Sequence, residues 1–506
     1  VATVHSLVCW GGRTGKTVTL TIASPCVVTR TNHGLRNGTG LVFSTTGALP
    51  TGITAGTTYY TRYVAANTFH LYDTEAHAKD TASTTGRINT SGTQSGTHTA
   101  KSRLMLDYFD QYPGRWGASG SERCYDGLAS WNSARSAVAN ALDEEVCELG
   151  QSFDDYITGQ INISMNVGSI RVESKIDGIR TEAYHNAQLT SGYCVYRINL
   201  ANNVAIYCTS MRAVFDGFRI KIVGSGYSTS GLYLGSLGKA INIIAQGKND
   251  KQGVGISPYG QFSEIINCLA IGGWANGFRA SNYTLFTIAN SISCGNAYGF
   301  FPSSETNITG FFYNNIFVGN SIANYYACTG LKDSQNNAGE SGDTPYGINP
   351  ITMSTADFLD YANNDFRPAS ALSPQVDAGI EYYGALNYDI ADAERPNYNN
   401  GGSEAFDIGC YEFDHGYGDH PATATVTFSG VIANTEIRVY NASGTEIAGV
   451  ENCSANQVLE WALTEDPVRV SLLSLPYKNQ DFTFTAVAGA QSLPIRQLPD
   501  PNYRNP

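Results

Sequence analysis

The sequence predicts an all-β protein built around a parallel β-helix, with small β-sandwich-like domains at its N- and C-terminal ends and one capping helix. Three observations carry this. Five glycines, Gly224, Gly247, Gly272, Gly295 and Gly319, recur at steps of 23, 25, 23 and 24 residues, each closing a short apolar run such as RIKIVG, INIIAQG or NNIFVG. A second marker keeps pace with them: GLYLGS at 231–236, GVGISP at 253–258, GFRAS at 277–281, GFFPSS at 299–304 and NYYACTG at 324–330. Two markers moving in step signal one unit stacked on copies of itself. Composition is the third: 53 Gly, 31 Tyr and only 15% charged residues suit a turn-rich β protein with a neutral polar surface. A chain of 506 residues is too long for a single compact core.

The elements follow in order. Residues 1–16 read as an N-terminal arm. Residues 17–100 alternate Thr and Val (TVTLTIASPCVVTRT) and pass through turn signals such as NHG, RNGTG and LPTG, which predicts a small β-domain. Residues 101–165 hold a linker and the clearest helical pattern, LASWNSARSAVANALDEEV at 128–146, with Leu128, Trp131, Ala134, Ala137, Val138 and Leu142 at helical spacing. A helix there caps the open end of the coils and blocks edge pairing. The β-helix occupies 166–344. A period near 24 suits three short strands per coil, and about seven coils at roughly 4.8 Å each give a length near 35 Å. The segment 345–421 closes the helix. Residues 422–488 alternate again (ATVTFSGV, TEIRVYNASGTEIAGV, PVRVSLLSL, DFTFTAV), with NASG at a hairpin position, and predict a second β-sandwich-like module. Residues 489–506 form an extended tail.

Charge and cysteine usage exclude several classes. A net charge of -13 argues against nucleic-acid binding, which draws on clustered Lys and Arg. No apolar run reaches the roughly 20 residues that cross a bilayer, so no membrane insertion is expected. The opening VATVHSLVCWGGRTGKT does not read as a secretory signal. The 11 cysteines are scattered without a C-x-x-C pair, as expected of free buried thiols in a reducing compartment.

Two stretches carry a family resemblance. NDFRPASALSPQVDAG at 364–379 with DIGCYEF at 407–413 resembles the closing segment of right-handed parallel β-helix proteins of the pectate-lyase-like class, and it falls where the coils end. It departs from that pattern in an inserted Ala-Leu before Ser373, in Gln375 and in Cys410. Residues 19–74, closing with INTSGTQSGTHTA, resemble a module of tailed-phage structural proteins. The resemblances imply a bacteriophage virion protein, made in the host cytoplasm. It would be a tail spike, tail fibre or capsid appendage, commonly a homotrimer in contact with other virion proteins and a host surface glycan.

The chemistry-bearing candidates are few. WGGRTGKT at 10–17 lacks the first Gly of a phosphate loop, where Trp10 stands, and reads as a turn. DHGYGDH at 414–420 pairs His and Asp without metal-site spacing and reads as a linker, so neither metal nor cofactor is expected. β-Helix enzymes that cut polysaccharides project carboxylates from stacked coils. Residues 252–331 hold only Glu264, Arg279 and Glu305 as charged side chains. Asp216 and Glu264 stand two periods apart and are the catalytic dyad candidates. Arg219-Ile220-Lys221 matches one element of polygalacturonases, but their N-x-D, paired-Asp and His-Gly elements and the acidic calcium cluster of pectate lyases are missing. The resemblance thus covers the scaffold and not an active site. Residues 283–326 hold eleven aromatics. A coil interior takes limited ring volume, so adjacent pairs must send one ring outward. Tyr298, Phe301, Phe312, Tyr313, Tyr325 and Tyr326 are the candidate outward rings, suited to a subunit interface or to stacking on sugars.

Overall fold

The computed structural model describes residues 2–138, 143–184, 195–198, 203–223, 389–391 and 406–412. It also describes 229–380 apart from 249, 251, 282–283, 304–307, 327–330, 344–346 and 371, and the strands between 423 and 494. By contacts the chain splits into two compact units, Val1–Pro396 with Glu404–Phe413, and Asn397–Ser403 with Asp414–Pro506.

The larger unit is a parallel β-helix. Three sheets run along it, and successive strands of each come from successive coils. The third sheet has seven strands: Ile161–Ile163, Val204–Cys208, Ser230–Leu234, Val254–Pro258, Asn276–Ala280, Tyr298–Pro302 and Ala323–Tyr325. The second runs from Asp154–Ile157 through Arg219–Ile222, Leu269–Ile271 and Ile316–Val318 to Ile351–Thr352. The first includes Glu144–Leu149, Ser169–Glu173, Ala213–Asp216, Lys239–Ile241, Ser263–Ile266, Leu285–Ala289 and Thr309–Tyr313. Inside, like stacks on like: Ile206, Leu232, Ile256 and Phe278 face one another in register and are buried.

The ladder glycines end second-sheet strands. Gly272, Gly295 and Gly319 hold φ of 77°, 69° and 65°, which an L side chain rarely adopts. Gly247 is not left-handed; there a Cβ would lie 2.8 Å from the Gly272 carbonyl oxygen. Gly224 lies outside the described residues. A second ladder sits at the turn from first to second sheet. Asn242, Asn267, Asn290, Asn314 and Asn336 hold φ between 49° and 55°, which Asn tolerates better than most residues. The Asn314 amide donates to Asn290 Oδ1 at 2.9 Å.

The solenoid starts earlier than the sequence suggests. The helix covers Leu128–Arg135 only, and Glu144–Leu149 is a strand of the first coil. EEVCEL gains ladders on both sides, with Thr3–Val8 and Ser169–Glu173, and that pairing outweighs the helix propensity of its glutamates. The arm at 1–16 is therefore not free: Thr3–Val8 extends the first sheet, with Cys124–Tyr125 beyond it. The short helix buries Leu128 and Trp131, and its Asn132 donates to the Asn162 carbonyl on the third sheet's first strand. Strands and helix together close the N-terminal end of the coils.

Between Thr3–Val8 and the helix Arg103–Gln111 sits a closed antiparallel barrel of six strands, Lys16–Leu20, Val27–Thr29, Thr68–Tyr72, Thr58–Ala65, Gly40–Thr45 and His98–Ser102. Val18, Val28, Leu41, Phe43, Phe69 and Leu71 fill it. The turn before it buries Trp10, whose indole N–H donates to the His33 carbonyl at 2.6 Å, and Lys16 pairs with Asp126 at 3.5 Å.

The described residues of 353–380, 389–391 and 406–412 lie over the second sheet. Met353, Phe358, Phe366, Ile390, Ile408 and Tyr411 pack on Ile244, Leu269, Ile271, Ile292, Ile316 and Val318. Asn314 donates to the Ile380 carbonyl at 2.7 Å and accepts from its N–H at 2.9 Å.

The smaller unit has a three-stranded sheet (Asn456–Ala462, Thr423–Ser429, Gly489–Pro494) and a four-stranded one (Glu446–Val450, Glu436–Tyr440, Val468–Leu473, Gln480–Phe484). Val426, Phe428, Ile437, Val439, Val470 and Leu472 are its buried alternating positions. Gly489–Pro494, read from sequence as tail, pairs in parallel with Thr423–Ser429. The NASG turn and the 414–420 segment lie outside the described residues.

Candidate functional site

Asp216 and Glu264 do not share a column. Asp216 stands opposite Ile241, and Ile241 opposite Ile266. Both coils thus measure 25 residues, so two coils carry the register two positions past Glu264. Glu264 faces Lys239 and pairs with it. By coil rise and strand spacing the two acids sit roughly 12 Å apart at Cα, outside the about 5–5.5 Å of a retaining pair and the about 6.5–9.5 Å of an inverting one. Both lie in strands, not in turns.

The column that does stack acids is Glu148, Glu173 and Asp216, opposite one another on three successive coils. An insertion after Glu173 lengthens the middle coil, which hides the repeat from sequence reasoning. Glu148 accepts from the Trp116 indole at 2.6 Å, from Arg115 Nε at 2.9 Å and contacts His5 Nδ1 at 3.0 Å. Arg115 also reaches Asp177 at 2.5 Å. Burial alone would raise the Glu148 carboxyl; hydrogen bonds from His5 and Arg115, with Arg115's charge, outweigh it and hold the group below the ordinary carboxylate range. Glu173 goes the other way. Burial raises it, Arg171 opposes, and the neighbouring Asp216 and Glu148 carboxylates add to the rise. Asp216 takes Lys175 at 2.5 Å and the Asn242 amide at 3.1 Å.

Carboxylates one coil apart, driven in opposite directions, have the form of an acid–base pair. Access decides against that use. The Glu148 side chain is 0% exposed and Asp216 8%. Trp116 covers the first, and Lys175, on the strand pair Lys175–Ile176/Ile179–Arg180, covers the second. A polymer chain cannot reach two of these acids together. The column is an ion lattice that fastens that hairpin and the segment around Arg115 to the first sheet.

The third sheet is different. Outward along it run Tyr207, Tyr233, Ser257, Arg279 and Phe301 in register order, with Tyr326 next. Tyr233 and Tyr259 stack at 5.7 Å and 19°, with Tyr207 against both. Phe301 and Tyr326 stack at 4.9 Å and 8°, with Tyr298 against both. Two ring triads thus bracket Ser257 and Arg279. Tyr259 is 47% and Tyr326 39% exposed. The Ser257 hydroxyl donates to the Arg279 carbonyl at 2.7 Å. Among the described residues no carboxylate pairs with the Arg279 guanidinium.

Of the six candidate rings, the structure brings together Tyr298, Phe301 and Tyr326. Phe312 is fully buried, because it is Phe311 of that pair that points out. Tyr325 stands opposite Phe300, packs 4.8 Å from Phe317 and donates to the Ala338 carbonyl, so it too faces the interior. Tyr313 lies on the first sheet. Tyr207, Tyr233 and Tyr259 were missed. Their signal is a tyrosine every 26 residues upstream of the aromatic-rich stretch.

A cleft of about 960 Å³ between the barrel and the first coils is lined by opposed charges. Arg36 and Arg197 both engage Asp154, Lys79 pairs with Glu75 and Arg103 with Asp107. Among the described residues no cluster of His, Cys, Asp and Glu is arranged to hold a metal ion. The eight described cysteines are buried, and no two of them are joined in a disulfide.

No family model and no curated protein matches the sequence. Among solved structures the chain is similar to the crystal structure of a pectate lyase, at 16% identity and a TM-score of 0.33, over 56% of this chain and 90% of that one.

Proposed function

We propose that this protein is a non-enzymatic bacteriophage appendage, a tail spike, tail fibre or head fibre, that attaches its particle to a cell surface. The ring-bearing outer face of the third sheet, with Tyr259 and Tyr326 exposed, is the observation that carries this reading. Rings held rigidly on stacked strands give flat contact area at low entropic cost, and the acids of the first sheet are sealed in ion pairs. The resemblance of residues 19–74 to a phage structural module adds the virion setting. As an appendage the chain assembles into a homotrimer and contacts other virion proteins.

Light scattering on the purified chain should give three times 54.3 kDa; a monomer at micromolar concentration counts against the appendage. Labelled protein should adsorb to host cells and leave the length of their surface polysaccharide unchanged. A second reading, a depolymerase, draws on the Glu148–Glu173–Asp216 spacing and requires Trp116 and Lys175 to move off the acids they cover. Polysaccharide shortening that Glu173→Gln abolishes would establish it and displace the first.

A further inference from the structure

We infer that the junction between the barrel and the second sheet holds a doubly charged oxyanion of the phosphate class, free or as an ester, gripped by Arg36 from the barrel and by Arg197 and Lys221 from the coils. Such a site stands whether or not the third sheet attaches a particle to a cell.

The outer face of the second sheet changes character along its length. From Ile244 onward it is aliphatic and covered. Over the strands Asp154–Ile157, Val195–Ile198 and Arg219–Ile222 it gathers cations instead. Tyr156, Arg197, Lys221 and Gln246 stand opposite one another on successive strands, with Arg219 two residues before Lys221. The barrel adds Arg36 at the same place. The Asp154 N–H donates to the Gly34 carbonyl at 2.9 Å, and Arg36 Nη2 donates to Asp154 Oδ1 at 2.8 Å. Arg197 Nε takes the other oxygen of that carboxylate. Among the described residues Asp154 is the one acid paired within this group of four cations.

The arrangement is unfavourable as it stands. Like charges opposite one another on neighbouring strands repel, and Arg197 and Lys221 are such a pair, with Cα positions roughly 4.8 Å apart. The Lys221 ammonium registers this: burial pushes it down, Arg219 and Arg197 push it further, and Asp154 recovers only part. Among the described residues Lys221 pairs with no carboxylate, and Arg197 uses only its Nε on Asp154. The two Nη groups of Arg197 keep their N–H donors for a further acceptor. An oxyanion beside Asp154 accepts from that fork, from Arg36 and from the Lys221 ammonium, and offsets the surplus of cations. A singly charged ion would leave most of that surplus in place.

Access and shape agree. The cleft of about 960 Å³ opens onto Arg36, Arg197, Asp154 and Tyr156. Its other cations are matched, Lys79 by Glu75 and Arg103 by Asp107, and Glu182 lies on the side of Glu75 and Lys79. The unmatched cations form one cluster and not a track, which suits a compact ion better than a nucleic acid, whose binding draws on several phosphate contacts in a row.

The test uses the full chain at about pH 8, where most phosphate is doubly charged, with inorganic phosphate as the probe and chloride at equal ionic strength as the reference. At about 10 mM phosphate the melting midpoint should rise by 2–3 °C over chloride. Lys221→Gln should abolish the rise and Lys221→Arg should keep it. In chloride alone, Lys221→Gln should melt at the wild-type midpoint or above it, because a repelled charge has gone. By calorimetry Lys221→Gln should weaken phosphate binding about ten-fold, the size of one charge-assisted contact. Glycerol phosphate separates the two sources: binding as tight as that of free phosphate assigns the site to an ester, much weaker binding to the free ion, and either keeps the site. A rise shared equally by wild type and Lys221→Gln is a general salt effect and overturns the inference. Equal melting in phosphate and chloride does the same. So does a Lys221→Gln protein that melts well below wild type in chloride, which makes Lys221 a structural residue.

Discussion

The second and third sheets come from the same coils, yet their outer faces differ. Outside the second sheet stand Ile244, Leu269, Ile271, Ile292, Ile316 and Val318, all buried beneath Met353, Phe358, Phe366, Ile390, Ile408 and Tyr411. Outside the third stand Tyr207, Tyr233, Arg279 and Phe301, half-buried, with Tyr326 exposed. An aliphatic face is dry and featureless and is best matched by more of the same chain. A ring-and-cation face keeps polar edges that water tolerates, so it can wait for a ligand. The contrast teaches that in a solenoid the interior is common property, whereas each outer face is specified separately.

The strongest way to break this comparison is to thin the cover. Phe366→Ala removes a ring buried to 2% that packs at 5.4 Å on Phe358 and 5.9 Å on Tyr361. It should cost about 3–5 kcal/mol, read as a lowered denaturation midpoint with a fluorescent dye reporting newly exposed apolar surface. A loss under about 1 kcal/mol would mean the cover is dispensable.

The first sheet gives an intermediate case, since its outer face is covered through ion pairs. Glu148→Gln leaves Arg115 half-paired and should cost about 3 kcal/mol at neutral pH. The pH profile has two limbs. The lowered Glu148 group contributes stability in full above the ordinary carboxylate range and loses it as pH falls through its lowered value. The raised Glu173 group does the reverse: its ionised form costs stability, and that cost lifts as pH falls through its raised value. Acidification should therefore first stabilise the wild type and then destabilise it. Glu173→Gln should reduce the first limb, to which the raised Asp155 and Glu182 also contribute, and Glu148→Gln should reduce the second, which it shares with the lowered Asp126, in thermal melts across the acid range.

A finer contrast lies within the glycine ladder. Gly319→Ala sets a Cβ 2.4 Å from the Tyr361 hydroxyl of the cover, whereas at Gly295 the nearest atoms are 3.8 Å away. Both positions carry the left-handed penalty of about 1 kcal/mol. Gly319→Ala should cost about 1 kcal/mol more, and Tyr361→Phe should recover part of the excess. Equal melting shifts for both would place the cover loosely on the coils. The smallest effect on stability belongs to the open face. Phe301→Ala should move the midpoint by less than about 1 kcal/mol while removing ring contact to any ligand.

How far these faces could be read from sequence follows from what each signal encodes. The glycine spacing marked the ends of second-sheet strands because a left-handed turn restricts residue type. The coil onset was hidden: EEVCEL has helix-forming residues, and only its two ladder neighbours make it a strand. The Asp216–Glu264 pairing failed on coil length, since two 25-residue coils shift the register by two positions. An adjacent ring pair says that one ring points out but not which. Phe301 and Tyr326 do, whereas Phe312 points in and Phe311 out. The closing segment was legible as an ending. That it returns along the second sheet was not, since the match is between two apolar surfaces and leaves no local mark.

That return has a mechanical consequence. A stack of coils touching only nearest neighbours can lose its last member without disturbing the rest, and melts by fraying. Here a strip carrying Met353, Phe358, Phe366, Ile390, Ile408 and Tyr411 lies across the second-sheet strands from Ile244 to Ala338. Peeling away the final coil means lifting the strip from all of them at once. The C-terminal half of the solenoid should thus give way as a single cooperative block, with amide protons in those strands exchanging together.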